Sequence, residues 1–205
     1  MIDSNSIPFL DNAVISYDFS NLVFNEYHFT HCHLDYCMFD DSEINNCSFY
    51  YSDLMGTSLQ KLKIHQELSF VSCNLSGAIV SCWEEKNTHI NFVGCNFDDA
   101  TFKDMDISII GFQSIVSMSG TKMIRARMSL KQFLNFLCHH VTFEEIEVTL
   151  DESDLMHIPS SQRNDSSCKK EIIRQINIIK KDIDTIHNIP TLLNSIKFLF
   201  PSYPS

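Results

Sequence analysis

The chain has 205 residues, 44% of them hydrophobic, with 26 acidic against 15 basic side chains and a formal net charge of −11. That length suits one domain, or one with a small appendage, and no run of about 18 apolar residues exists to span a membrane. The acidity argues against direct nucleic-acid binding. The opening Met1-Ile2-Asp3-Ser4-Asn5 lacks the basic and apolar segments of a secretory signal peptide, so the eight cysteines are expected as reduced thiols.

From Phe19 every fifth residue is large and apolar: Phe19, Phe24, Phe29, Leu34, Phe39, Ile44, Phe49, Leu54, Leu59 and Ile64. Phe9 and Val14 extend the series backwards in the same register. Two places before each member of the main series sits a second periodic position, occupied by Tyr17, Leu22, Tyr27, Cys32, Cys37, Ser42, Cys47, Ser52, Thr57 and Leu62. A period of five matches neither a helix nor a strand. It matches a solenoid whose flat faces each use five residues and turn two of them inward. The register slips after Ile64 and resumes at Phe70, Leu75 and Val80. It slips again across the polar insert Ser81 to His89 and resumes at Phe92, Phe97, Phe102, Ile107 and Phe112.

The units Cys32-His33-Leu34, Cys37-Met38-Phe39, Cys47-Ser48-Phe49, Ser52-Asp53-Leu54 and Cys73-Asn74-Leu75 resemble those of the pentapeptide-repeat family, over roughly residues 7 to 117. The resemblance implies a mainly β fold, a right-handed quadrilateral β-helix with twenty residues per coil, followed by a small α-helical C-terminal region. Reading every twentieth residue then predicts four columns. They are Phe29, Phe49, Phe70; Leu34, Leu54, Leu75; Phe24, Ile44, Ile64; and Phe19, Phe39, Leu59, Val80. About five coils at roughly 4.8 Å each make a rod about 25 Å long. Cys32, Cys37, Cys47, Cys73 and Cys95 take the small inward position and read as core residues.

Past Ser117 the period is lost, which divides the chain into a β-helix (1–117), a short helical cap region (118–158), a flexible linker (159–167) and C-terminal helices (168–205). Ser129 is placed to cap a helix carrying Leu130, Phe133, Leu134 and Leu137. Thr142 with Glu145 reads as a capping box for a second helix through Leu150. Ile172, Ile176, Ile179, Ile183 and Ile186 form a narrow seam, which packs on the end of the rod or serves as a homodimer surface over 172–186.

Charge is divided. Residues 1–120 carry 16 acidic and 4 basic side chains, net −12, while residues 121–205 carry 10 and 11, net +1. The acids fall mostly on outward positions, among them Asp35, Asp40, Asp41, Glu43, Asp53, Asp98, Asp99, Asp104 and Asp106. Such a field attracts basic protein surfaces. Candidate partner contacts are Asp40, Asp41 and Glu43, together with Trp83, Glu84 and Glu85 on the insert, since exposed aromatics anchor interfaces.

No catalytic constellation emerges, and neither a cofactor site nor a metal site is expected. His28, His31, Cys32, His33 and Cys37 lie close in sequence, but the cysteines point inward while His28 and His33 point outward, so four ligands cannot converge. His139-His140 reads as a helix C-terminus. Cys168, followed by two lysines at a helix start, is a thiol of lowered pKa without a partner base.

The sequence resembles pentapeptide-repeat secreted effectors of enteric bacteria, which implies a non-enzymatic interaction scaffold. Its place is then the bacterial cytoplasm, or a host cell reached by a signal-peptide-independent route. It also resembles the front of β-helix-containing HECT-like ubiquitin ligase effectors, and so a shortened relative without the catalytic lobe. The alternative is an acidic DNA mimic that inhibits or protects DNA gyrase, as quinolone-resistance members of the family do.

Overall fold

The computed structural model describes residues 9–15, 17–137, 139, 141–149 and Arg174, with backbone alone for Phe9 and residues 85–87. The expected linker, the isoleucine seam, His140 and Cys168 lie outside the described residues.

The pentads fold into a parallel β-solenoid of about seven turns. Four central columns run along it. On the first face Leu10, Phe29, Phe49, Phe70, Phe92 and Phe112 stand in register. On the second, bridges from His33 to Asp53, Asn74, Asn96 and Ser117 place Leu34, Leu54, Leu75, Phe97 and Met118 above one another. The third carries Leu59, Val80, Phe102, Met123 and Phe143 above Phe39 and Phe19. The fourth carries Phe24, Ile44, Ile64 and Glu85, and further up Ile107, Met128 and Val148. All four predicted columns are present.

Stacking on the first face is close to ideal. The rings of Phe29 and Phe49 are 4.6 Å apart and 4° from parallel, and those of Phe49 and Phe70 are 4.9 Å and 5°. That spacing is the distance between hydrogen-bonded strands. Identical side chains on successive coils therefore meet face to face, and each fully buried Phe contributes about 2–3 kcal/mol by removing its surface from water.

The inward position two places before each central residue does more than save space. Cys37 Sγ donates to the Ile15 carbonyl at 3.2 Å and Cys73 Sγ to that of Phe49 at 3.3 Å. Ser42, Thr57 and Thr121 donate to the carbonyls of Phe19, Leu34 and Phe97 at 2.7, 3.1 and 2.7 Å. In each case the acceptor belongs to the central residue on the preceding face, one coil below. A small residue with a donor thus satisfies a carbonyl that the corner would otherwise bury unpaired.

The corners themselves are left-handed. Two places after a central residue the backbone adopts positive φ, as at His31 (51°), Tyr36 (57°), Asp41 (58°) and Tyr51 (50°). For non-glycine residues this costs roughly 1–2 kcal/mol each. Hydrogen bonds between coils at the same residues offset it: His31 N–H to Tyr50 O at 2.9 Å, Tyr36 N–H to Met55 O at 2.8 Å and Asp41 N–H to Gln60 O at 3.0 Å.

Four sequence expectations are corrected. Leu10, not Phe9, pairs with Phe29, and Val14 is 84% exposed while Ile15 packs on the core. The chain is one residue shorter between Ile15 and Phe19, so the backward extension is offset by one. Second, the insert Ser81 to His89 is not an excursion. It runs from the end of strand Ile79–Ser81 into strand Glu84–Val93, and Glu85 pairs with Ile64. The extra residues are absorbed at the corner between fourth and first faces, where the ladder shifts between His65 and Glu67, so the columns survive.

Third, the coils do not stop at Ser117. Strands Lys122–Ile124 and Arg127–Ser129 follow, then Thr142–Glu144 and Glu147–Thr149 above them. Fourth, Thr142 therefore opens a strand where a helix was expected. Val141-x-Phe143 and Ile146-x-Val148 are themselves pentad units, whose inward and central residues continue the columns of Thr121, Met123, Ala126 and Met128.

The expected helix at Ser129 is present as Leu130–Leu137. Ser129 Oγ accepts from Gln132 N–H at 3.2 Å, and Gln132 Oε1 accepts from Ser129 N–H at 3.0 Å, a reciprocal cap. Gln132 Nε2 also donates to the carbonyls of Ile107 and Ile110 at 2.7 and 3.0 Å. Phe136 sets its ring edge-on to Phe112 at 5.2 Å. The helix replaces a coil segment on the first face, covering apolar ends that would be left bare.

Candidate functional site

The outer surface is built from the residues flanking each central one. Their side chains project to solvent because the central one points in, and the coil repeat stacks them into ladders. At the corner between third and fourth faces the ladders alternate in charge. Asp41 meets Lys61 at 3.9 Å, and Glu43 meets Lys63 at 3.2 Å. Higher up, Asp104 holds Arg125 through both carboxylate oxygens, at 2.5 and 2.9 Å, and Arg127 lies between Asp106 at 3.6 Å and Glu147 at 3.8 Å. The hydrogen bond from Arg125, then its charge, lowers the Asp104 carboxyl below the usual range.

The six sequence candidates fall into two groups. Glu43, Lys63 and Glu84 share one ladder position on the fourth face, and Asp41 sits at the adjoining corner. Asp40 is turned to structure: it accepts from Ser58 Oγ at 2.7 Å and from Gln60 N–H at 3.0 Å. Glu85 stands in the central column by register. Trp83 is not an exposed anchor. It occupies the inward position of the fourth face, is 8% exposed and donates its indole N–H to Leu59 O.

The cysteine and histidine group is dispersed. Cys32 and Cys37 are buried and bonded to carbonyls, His28 Nδ1 engages Ser48 Oγ at 2.5 Å, and His31 stacks on Tyr51 beside Asp11.

The second face carries a polar ladder of its own. From its second coil upward the residues before and after the central column close on one another. Asp53 Oδ1 accepts from Met55 N–H at 3.3 Å and Asn74 Nδ2 at 2.9 Å. Asn74 Oδ1 accepts from Ser76 N–H at 3.2 Å, Asn96 Oδ1 from Asp98 N–H at 3.1 Å, and Asp98 Oδ1 from Ser119 N–H at 2.8 Å. One step lower, His33, Asp35 and Asp53 bring an imidazole nitrogen and two carboxylate oxygens within 4.8 Å of one another. Asp35 Oδ1 is enclosed there without a hydrogen-bond partner. Burial, then the neighbouring Asp53, raise the Asp35 carboxyl above its usual range, with His33 acting the other way. Sequence reading singled out each residue as outward-facing but not their convergence. The available signal was the coil repeat, which sets Asp53 directly over His33.

No protein-family model matches the chain, and a search of curated proteins returned no match. Among solved structures the chain is similar to a trypsin-treated form of QnrB1, a plasmid-mediated fluoroquinolone resistance protein, at 15% identity and TM-score 0.34, over 76% of this chain and 90% of that one. Full-length QnrB1 aligns at 17% identity and TM-score 0.32, over 74% and 89%. HetL, a pentapeptide repeat protein involved in heterocyst differentiation regulation in the cyanobacterium Nostoc, aligns at 11% identity and TM-score 0.18, over 68% and 82%.

Proposed function

We propose that the protein is a non-enzymatic interaction scaffold whose acidic outer surface engages a basic surface on a protein partner. One observation carries this reading: Lys61, Lys63, Lys103, Arg125 and Arg127 are each paired to a carboxylate, so the excess acid is left facing solvent. A rigid rod with an uncompensated anionic surface steers cationic partners and binds them in a salt-sensitive way. The sequence resemblance to secreted effectors of enteric bacteria, including the front of HECT-like ligase effectors, makes a host protein the partner to seek.

Capture from host-cell lysate tests it, comparing the protein with a variant carrying Asp98→Asn, Asp99→Asn and Glu84→Gln. Specific partners should be retained at low salt by the first and lost by the second. Equal retention by both overturns the role of the acidic surface.

A second reading, a DNA mimic acting on DNA gyrase, is favoured by a solenoid of about seven turns, longer than the five expected from sequence, whose excess acid lies within residues 1–120. A supercoiling assay with and without a quinolone separates the two. Inhibition or protection at low micromolar protein supports the mimic, and no effect from folded protein removes it.

A further inference from the structure

We propose that His33, Asp35 and Asp53 form a binding site for a transition-series divalent cation, Zn²⁺ or Mn²⁺, on the second face of the solenoid. Three observations lead there. The ligand set is one imidazole and two carboxylates, which suits these ions and disfavours Ca²⁺, an all-oxygen binder. The three ligand atoms already lie within 4.8 Å of one another. Bonds of about 2.0–2.2 Å require donors about 3.5 Å apart, and the exposed His33 side chain has room to close that difference.

The third observation is the enclosed Asp35 Oδ1. Higher on this face Asp98, which stands at the position of Asp35, has its Oδ1 met by the Ser119 N–H, and the Asn74 and Asn96 amide oxygens are likewise met by backbone N–H groups. At this step Asp35 Oδ1 has no hydrogen-bond partner although the Met55 N–H reaches the Asp35 carboxyl, and the Asp53 carboxylate stands beside it. An enclosed acceptor next to a like charge is a costly arrangement unless a positive species joins it. Asp53 is meanwhile oriented by Asn74 Nδ2 and Met55 N–H, the outer hydrogen bonding that metal-ligating carboxylates commonly have. Both carboxylates sit on neighbouring coils of a rigid ladder, so the site needs no loop closure. Its open coordination positions face solvent beside His33.

The test uses the whole protein stripped with chelator and titrated with ZnCl₂, MnCl₂ and CaCl₂ at neutral pH, by calorimetry and by thermal melting. One Zn²⁺ or Mn²⁺ per chain is expected, with a melting temperature that rises with metal concentration and little response to Ca²⁺. Asp35→Asn and His33→Gln should each weaken binding by about tenfold or more, with unchanged circular dichroism because neither side chain enters the core. Unaltered affinity in both variants places the ion elsewhere and overturns the proposal. So does a wild-type protein that binds neither ion while its stability responds to acid, which assigns the carboxylate pair to a shared proton.

Discussion

The indole N–H of Trp83 donates to the carbonyl of Leu59, on the preceding face one coil below, at 2.5 Å. This is the same bond that Ser42 and Thr57 make with their hydroxyls and Cys37 with its thiol. Trp83 is thus the largest member of a donor series, and the only tryptophan in the chain reports directly on the core.

Replacing Trp83 with Ala should cost about 3–5 kcal/mol, since it opens a cavity and leaves a carbonyl unpaired. Trp83→Phe keeps most of the volume and should lose about 1–3 kcal/mol. Urea unfolding followed by circular dichroism measures both. In the native protein, tryptophan emission should be blue-shifted and resistant to acrylamide. Emission at the wavelength of free tryptophan contradicts the burial.

The phenylalanine stack should be graded by position. Phe49 lies between Phe29 and Phe70 with both neighbours close to parallel, so Phe49→Ala is expected to cost about 3–5 kcal/mol. Phe19 is only half-buried in the first described coil, and Phe19→Ala should cost clearly less. Equal losses would show that the end coils are as tightly held as the centre.

Thiol chemistry should separate the cysteines sharply. Cys32, Cys37, Cys47, Cys73 and Cys95 are buried and Cys82 is exposed, and burial raises the thiols of Cys37 and Cys47 above their usual range. Brief alkylation of native protein at pH 8, mapped by mass spectrometry, should label Cys82 and spare those five. Labelling of Cys47 in the native state counts against the inward assignment.

Cys47→Ser keeps a donor toward the Phe24 carbonyl, whereas Cys47→Val keeps volume and removes it. If satisfying the corner carbonyl matters more than apolar volume, the serine variant should be the more stable of the two, by about 1 kcal/mol. Thermal melts of the pair decide which property the position selects.

Asp104 and Arg125 give the outer ladder a pH signature. The Asp104 carboxyl is lowered, so its contribution is present above the unfolded-state pKa and lost as pH falls through the lower folded-state value. Carbon-detected NMR titration should find Asp104 ionising below ordinary aspartates, and Arg125→Ala should return it to the usual range. Both side chains are solvent-exposed, so the effect should shrink at high salt.

The register of the central columns was legible because a solenoid writes its repeat into sequence. Each coil buries the same positions against its neighbours, so Phe29, Phe49 and Phe70 announce their stacking at a fixed interval. The same periodicity exposed the inward role of the cysteines, and Ser129 ahead of Leu130, Phe133, Leu134 and Leu137 marked the helix Leu130–Leu137 correctly. Past Ser117 the reading failed because Met118, Met123 and Met128 replaced phenylalanine and leucine, and a helix interrupted the coil count. Nothing local to Thr142 distinguishes a strand from a helix start; the choice came from the strand already waiting at Lys122–Ile124.

Trp83 and the second face mark the other boundary. A polar run holding one tryptophan reads as a surface loop until neighbouring coils show that the chain has no room to leave the wall and that an inward position is open. His33, Asp35 and Asp53 are ordinary outward residues in sequence, and their meeting is a property of coil stacking. Periodic burial, repeated coil after coil, is a one-dimensional signal that a sequence can carry alone. Where insertions are absorbed, which carbonyls need donors, and which outward groups converge depend on contacts between residues some twenty positions apart, and only the folded wall decides them.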